Sequence, residues 1–295
     1  MSILVLGGNG QLGSCLKDQL KGLRQEVNFF GKEEIDLKNS TEVQKKINEL
    51  NPTFVINASA YTAVDKAEEN EREANAINHH ALDYLSAVCK STDSVLIHIS
   101  TDYVFDGEKK TPYKEEDATN PQGVYAESKL NGEKEIISSG CNYVILRTAW
   151  VFSEHGENFL KTMVKLGNTK EELSIVSDQF GCPTYAQDLA KAIVIILPQL
   201  ERKNLNAIYH YAGNYSCTWY DFAQHIFNEA YKIGLVKKIP KISKVSSDEY
   251  PTQAKRPLNS QLDSSSFHKK FGYGPSDWSK GIKNSLSKLK ENRSD

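Results

Sequence analysis

Tyr125 and Lys129 stand four residues apart, so on a helix they share one face. A phenol can protonate an oxygen that is gaining negative charge. Its ordinary pKa of about 10 makes that proton reluctant to leave at neutral pH. A neighbouring ammonium favours the phenolate, so Lys129 is expected to lower Tyr125 into a working range. Thr101 closes the apolar run 95–100 and can hydrogen-bond the same reacting oxygen. Far upstream, Gly7, Gly10 and Gly13 follow another apolar run directly. That spacing permits a sharp turn, a close backbone approach to a pyrophosphate, and tight packing of helix on strand. Each pattern alone is weak. Together, a carbonyl-protonating acid and a dinucleotide turn imply hydride transfer.

These groups need a frame that brings them to one edge. Short runs at 3–6, 27–30, 54–57, 95–100 and 143–147 carry little polar interruption, which suits strands of a parallel sheet covered on both faces. Helical stripes lie between them. Leu12, Cys15, Leu16, Gln19, Leu20 and Leu23 form the first, Val43, Ile47 and Leu50 the second, and Ala81, Leu82, Leu85 and Val88 the third. The alternation predicts an α/β fold, a doubly wound parallel sheet of Rossmann type, with a smaller C-terminal α/β substrate lobe. We assign 1–150 to the dinucleotide-binding domain, rejoined by 173–212, and 213–295 with 151–172 to the lobe. Further strands are expected at 173–176 and 208–212, helices at 186–197, at 219–233 and from about Ser279, and a frayed end at 291–295.

The formal net charge of −2 gives no electrostatic reason to expect nucleic acid or an anionic membrane as partner. Five cysteines without CxxC spacing read as reduced thiols in a reducing compartment. The N-terminal run lacks a basic segment and no apolar stretch is long enough for a bilayer, so a cytoplasmic protein is expected. No histidine pattern suits a metal, and none is expected.

The end of the second strand usually carries an acid for the adenosine ribose. Gly31 occupies that place here, followed by Lys32. NADPH is therefore the expected cofactor, with NADH as an accepted alternative. Asp36 reads either as a group under the adenine or as a solvated acid before a helix. Ala60, Tyr61 and Thr62 lie in a run of small and hydroxyl-bearing residues that lets the backbone pass close to a cofactor, or that is a plain loop.

In order along nearly the whole chain stand GGNGQLG at 7–13, NASAYTAVDKAE at 57–68, STDYVFDG at 100–107, VYAESK at 124–129, RTAWVF at 147–152, DQFGCPT at 178–184, TWYDF at 218–222 and RPLNS at 256–260. These strings resemble the extended short-chain dehydrogenase/reductase superfamily and, within it, the dTDP-4-dehydrorhamnose reductases. The resemblance implies reduction of the 4-keto group of a dTDP-linked keto sugar. It implies that Gly10, Gln11 and Leu12 line the pyrophosphate and that Asp36 and Leu37 flank the adenine. Ala60, Tyr61 and Thr62 would meet the middle of the cofactor. Tyr125 would be the proton donor and Lys129 its cofactor-binding partner, with Thr101, Asp102 and Trp150 facing the sugar. Some members dimerise through magnesium held by acids near the first helix. Ser14, Cys15 and Leu16 offer no carboxylate there, so the metal is not carried over; a homodimer stays open.

Sugar-nucleotide dehydratases share the fold and the Tyr–Lys pair but commonly carry Asp-Glu after the Thr. Here Thr101 precedes Asp102 and Tyr103, which favours simple reduction. A 4-keto reductase giving another epimer is the closer rival, and a non-catalytic cofactor-binding subunit the more distant one. Arg256 reads equally as a partner for the substrate diphosphate and as a surface arginine. Trp219 reads as core of the smaller lobe rather than a stacking platform.

Overall fold

The computed structural model describes residues 1–22, 25–200 and 206–292. Six strands form one parallel sheet: β1 (Ser2–Leu6), β2 (Glu26–Phe30), β3 (Phe54–Asn57), β4 (Val95–Thr101), β5 (Asn142–Thr148) and β6 (Ala207–His210). Their order is β2-β1-β3-β4-β5-β6. The chain reverses direction of travel between β1 and β3, so a crevice opens beyond their carboxyl ends. The central strands are buried on both faces, which is why they read as unbroken apolar runs.

Among the described residues the longer helices are α1 (Gln11–Leu20), α2 (Ser40–Leu50), α3 (Ala81–Ser91), α4 (Val124–Ser139), α5 (Phe159–Gly167), α6 (Ala186–Leu200), α7 (Trp219–Lys232) and α8 (Trp278–Glu291). Leu12, Cys15, Leu16 and Leu20 of α1 pack with Ile193 and Ile196 of α6 on one face of the sheet. Val43 and Ile47 of α2 pack with Leu82 and Leu85 of α3 on the other. Leu23, assigned above to the α1 stripe, lies outside the described residues, as do positions 293–295 of the expected frayed end. Phe152, Leu160, Phe222, Phe227, Trp278 and Ile282 make a third core, that of the lobe. A reciprocal capping box between Thr218 and Asp221 starts α7.

Two boundaries differ from expectation. The strand Glu172–Val176 is not part of the main sheet; it pairs in parallel with Lys241–Val245 beside the lobe. The segment that rejoins the sheet is therefore α6 and β6, starting near Ala186 and not at 173. The cause is visible in its burial: most of Glu172–Val176 stays partly or fully exposed, which suits a two-stranded ribbon and not a sheet centre. The C-terminal part is also not all lobe. The helix Ser265–Phe271 sets Phe267 and Phe271 against Tyr209 of β6, within the core of the main sheet.

A turn of π-helix, Ala76–His80, precedes α3. The widened turn carries Asn78, which is buried, to the loop after β3. All five cysteines are buried and free. Among the described residues no helix is long and apolar enough to cross a membrane.

Candidate active site

The glycine turn is built to hold something flat against backbone. Gly7 has φ of +80°, and a Cβ there would lie 2.8 Å from the backbone of Ala58 and Ser59. A Cβ on Gly13 would lie 2.2 Å from the Gly7 carbonyl oxygen, so only glycine lets α1 approach β1. Gly10 caps α1 without a side chain, and the first turn contains no acid. The N–H groups there are left for an anion, which is the cradle a pyrophosphate needs. Gln11 and Leu12 line the cavity beyond. Gln11 Oε1 also accepts from Ser153 Oγ at 2.9 Å and Asn158 Nδ2 at 3.0 Å, which ties α1 to the lobe. These features fit a dinucleotide.

The end of β2 is less open than its residues suggest. Glu34 folds back so that its carboxylate accepts from the Gly31 N–H at 2.5 Å. A carboxylate thus stands at the end of β2, supplied three residues later than expected. Its charge would oppose a 2′-phosphate placed there, which Lys32 would attract. Asp36 caps the Lys38 N–H at 3.0 Å, and Leu37 is buried beside Ile35. Neither of these two borders the main cavity.

That cavity, of about 580 Å³, lies over the carboxyl ends of β1, β3, β4 and β5. Tyr125 and Lys129 enter it from α4, and Thr101 and Asp102 from the end of β4. Ala60 and Thr62 line the cavity on the side of the loop after β3 and Trp150 on the lobe side. The backbone of Tyr61 is clamped by Asn78, with Oδ1 accepting from its N–H at 2.8 Å and Nδ2 donating to its carbonyl at 3.0 Å. Asn78 Nδ2 also reaches Ser128 Oγ at 3.1 Å, so one side chain joins the cofactor loop to α4.

The charge states differ from the simple expectation. Tyr125 is pushed up to about 12, by burial first and Asp102 last, against a hydrogen bond with Thr101. Lys129 does not lower it. Its Nζ donates to the Ile99 carbonyl at 2.7 Å and lies 3.2 Å from His98 Nε2. Helical spacing puts both residues on one face but does not set where a long side chain ends. Burial brings Lys129 down to about 8, with Glu133 pulling the other way. Asp102 rises to about 7 through burial, opposed by the Ser260 and Thr101 hydroxyls. Its Oδ1 accepts from Thr101 Oγ1 at 3.0 Å, while its buried Oδ2 makes no hydrogen bond.

Comparison with known proteins gives this geometry a family. Residues 1–291 match the family described as the RmlD substrate binding domain. A dTDP-4-dehydrorhamnose reductase from Aggregatibacter actinomycetemcomitans is 39% identical over 285 residues, 96% of this chain and 97% of that one. The chain belongs to the dTDP-4-dehydrorhamnose reductase family. The crystal structure of such a reductase from Clostridium acetobutylicum superposes with a TM-score of 0.91 at 38% identity, covering 98% of this chain and 100% of the other. One from Bacillus anthracis in complex with NADP gives 0.89 at 32% identity, covering 97% and 99%. Membership makes this chain an oxidoreductase dependent on a reduced nicotinamide cofactor.

On the lobe side of the cavity, Trp150 stacks on Trp219, with centroids 3.5 Å apart and planes 6° apart. Trp150 holds φ at +48°, and its Nε1 donates to Ser260 Oγ at 3.1 Å. Trp219 belongs to the lobe core, as its sequence context suggests, but it also lines the cavity. Arg256 makes a two-pronged ion pair with Asp65, at 3.1 and 2.8 Å, so two of its five N–H donors are already used. It borders a second cavity of about 570 Å³ that also meets Lys109, Lys110 and Lys255. Asp18, Glu154 and His155 gather near α1, but Lys288 already pairs with buried Glu154 at 2.6 Å.

The sequence reading missed three residues packed around Tyr125 and Lys129. Glu133 is buried, accepts from Arg147 Nε at 3.0 Å and Nη2 at 2.7 Å, and takes the Ser100 hydroxyl. Asn78 and His98 were also passed over. Their signal was present: polar residues inside buried apolar stretches must be satisfied by something specific.

Proposed function

We propose that this enzyme reduces the 4-keto group of dTDP-4-dehydro-L-rhamnose to dTDP-L-rhamnose, using NADPH and accepting NADH. The carrying observation is the Tyr125–Thr101 hydroxyl pair, set beside the open N-terminus of α1 in one cavity. Reductases named for this substrate, similar over nearly the whole chain, support the choice of sugar.

When bound, the reduced nicotinamide supplies the hydride to the sugar C4. Thr101 holds the carbonyl oxygen beside Tyr125. As charge develops on that oxygen, Tyr125 gives up its phenolic proton, so carbonyl, hydride and proton together make the alcohol. A phenol held near 12 is well matched to an alkoxide, which is a stronger base still. Lys129, as the ammonium, would hold the nicotinamide ribose. Asp102 is largely a carboxylate above its value of about 7. Its free oxygen would accept from a sugar hydroxyl. Trp150 would cover the sugar face, and the cavity beside Arg256, lined by Lys109, Lys110 and Lys255 and also by Asp106, Glu108 and Asp178, would receive the diphosphate.

The test is direct. The protein is incubated with dTDP-4-dehydro-L-rhamnose and either reduced cofactor, and the product is identified by NMR. Formation of dTDP-L-rhamnose is expected; a product with the other C4 configuration, or no turnover, overturns the reading. Cofactor choice has its own handle. Glu34→Gln removes a carboxylate from the β2 end, and the ratio of kcat/KM for NADPH to that for NADH is expected to rise about threefold to tenfold, as one near-surface charge would allow. An unchanged ratio would remove Glu34 from the ribose site.

A further inference from the structure

Asn57, His98 and Lys129 form a buried line from β3 through β4 to α4, none more than 2% exposed. The amide of Asn57 has one orientation, because its Oδ1 accepts from the Ser59 N–H at 3.1 Å, a group that can only donate. Its Nδ2 therefore faces His98 Nδ1 at 3.2 Å. An amide nitrogen only donates, so Nδ1 must accept, and the ring proton belongs on Nε2. Nε2 is the atom that meets Lys129 Nζ at 3.2 Å. An ammonium can offer that N–H only another hydrogen. A neutral amine offers a lone pair, and keeps a hydrogen for the Ile99 carbonyl.

We propose that Asn57 and His98 are positioning residues that fix the histidine tautomer facing Lys129 and so favour its neutral amine over the ammonium in the free enzyme. The inference rests on the reduction proposed above only in its kinetic consequence. Other groups around Lys129 are accounted for. Glu133, one turn further along α4, favours the ammonium, but its carboxylate is committed to Arg147 of β5 and to Ser100 of β4. Tyr125 on the same helix and Asp102 after β4 border the shared cavity. Ser128 and Asn78 are neutral and bonded to each other. Protonation of His98 is no escape, because burial and Lys129 hold the ring well below its ordinary value. The benefit is kinetic. A lysine balanced near neutrality can take up or release a proton as Tyr125 cycles, whereas one at the ordinary value of about 10 cannot.

Two measurements decide it. Nitrogen NMR of the His98 ring in the full cofactor-free protein reads the tautomer without turnover. The proton is expected on Nε2; a proton on Nδ1 overturns the proposal. The second measurement is the pH profile of kcat/KM for the reduction, which reports groups of the free enzyme. His98→Leu removes the donor, and the basic limb is expected to move up by about one pH unit. His98→Gln, able to place an amide N–H where Nε2–H sits, should leave the limb near its original place. A downward or absent shift in the leucine variant overturns the proposal, because an accepting Nε2 would have stabilised the ammonium. If the leucine variant does not fold, the NMR result still decides. If the wild-type enzyme does not reduce the keto sugar, that failure falls on the proposed reaction, and the tautomer remains to be read.

Discussion

Tyr125→Phe lowers kcat by about 10²–10⁴-fold while the dissociation constant for the reduced cofactor stays within a factor of about two. The phenyl ring keeps the buried contacts of Tyr125, including its edge-on approach to Tyr103 with centroids 5.8 Å apart. What it removes is the one proton donor paired with Thr101 in the cavity. Transient kinetics with single-turnover absorbance of the reduced nicotinamide separates the chemical step from binding. A variant with near-normal single-turnover rate would strip Tyr125 of its role. Equal losses in rate and cofactor affinity would instead point to a disturbed pocket.

Lys129→Met weakens cofactor binding and the chemical step together. Loss of a charged hydrogen bond costs about 1.5–3 kcal/mol, or roughly tenfold to a hundredfold in the cofactor dissociation constant. The rate falls with it, because the nicotinamide ring is no longer held in place for hydride transfer. Methionine fills the buried channel beside Ile99 without leaving an unpaired charge. The pH dependence follows from the value of about 8 for Lys129. Below it the lysine is an ammonium and supports reduction; as the pH rises through it, that support is lost. The wild-type profile of kcat/KM should therefore bend down near 8, and the bend should vanish in the methionine variant. Tyr125, held near 12, cannot replace it in the accessible range. A bend that persists near 8 in Lys129→Met would assign it to another group, and Asp102 would be the next to test.

Much of the catalytic frame was legible in the residues. Strands buried on both faces betray themselves as apolar runs, and Ile3 to Leu6 and Phe54 to Ile56 lie in the sheet as their composition predicts. The glycines at 7 and 13 announced a close approach because nothing larger fits there. The spacing of Tyr125 and Lys129 placed both on α4 facing one cavity. Sequence reasoning failed where the outcome depended on where side chains end. It expected Lys129 to lower Tyr125, but burial governs Tyr125, and Lys129 Nζ bonds the Ile99 carbonyl and faces His98. It found no acid at the end of β2, but the turn after Gly31 brings one back. It put the strand after residue 172 within the returning part of the domain, although its partner lies nearly seventy residues on, at Lys241–Val245.

The amino-acid sequence by itself determined the sheet, the glycine turn and the shared helix face of Tyr125 and Lys129, because those depend on local periodicity and on glycine's missing Cβ. Only the tertiary structure decided the surroundings of Tyr125 and the partners of Lys129, Asp102 and Trp150. Those follow from burial and from contacts between residues far apart in the chain, and a proton's free energy depends on what surrounds it in space.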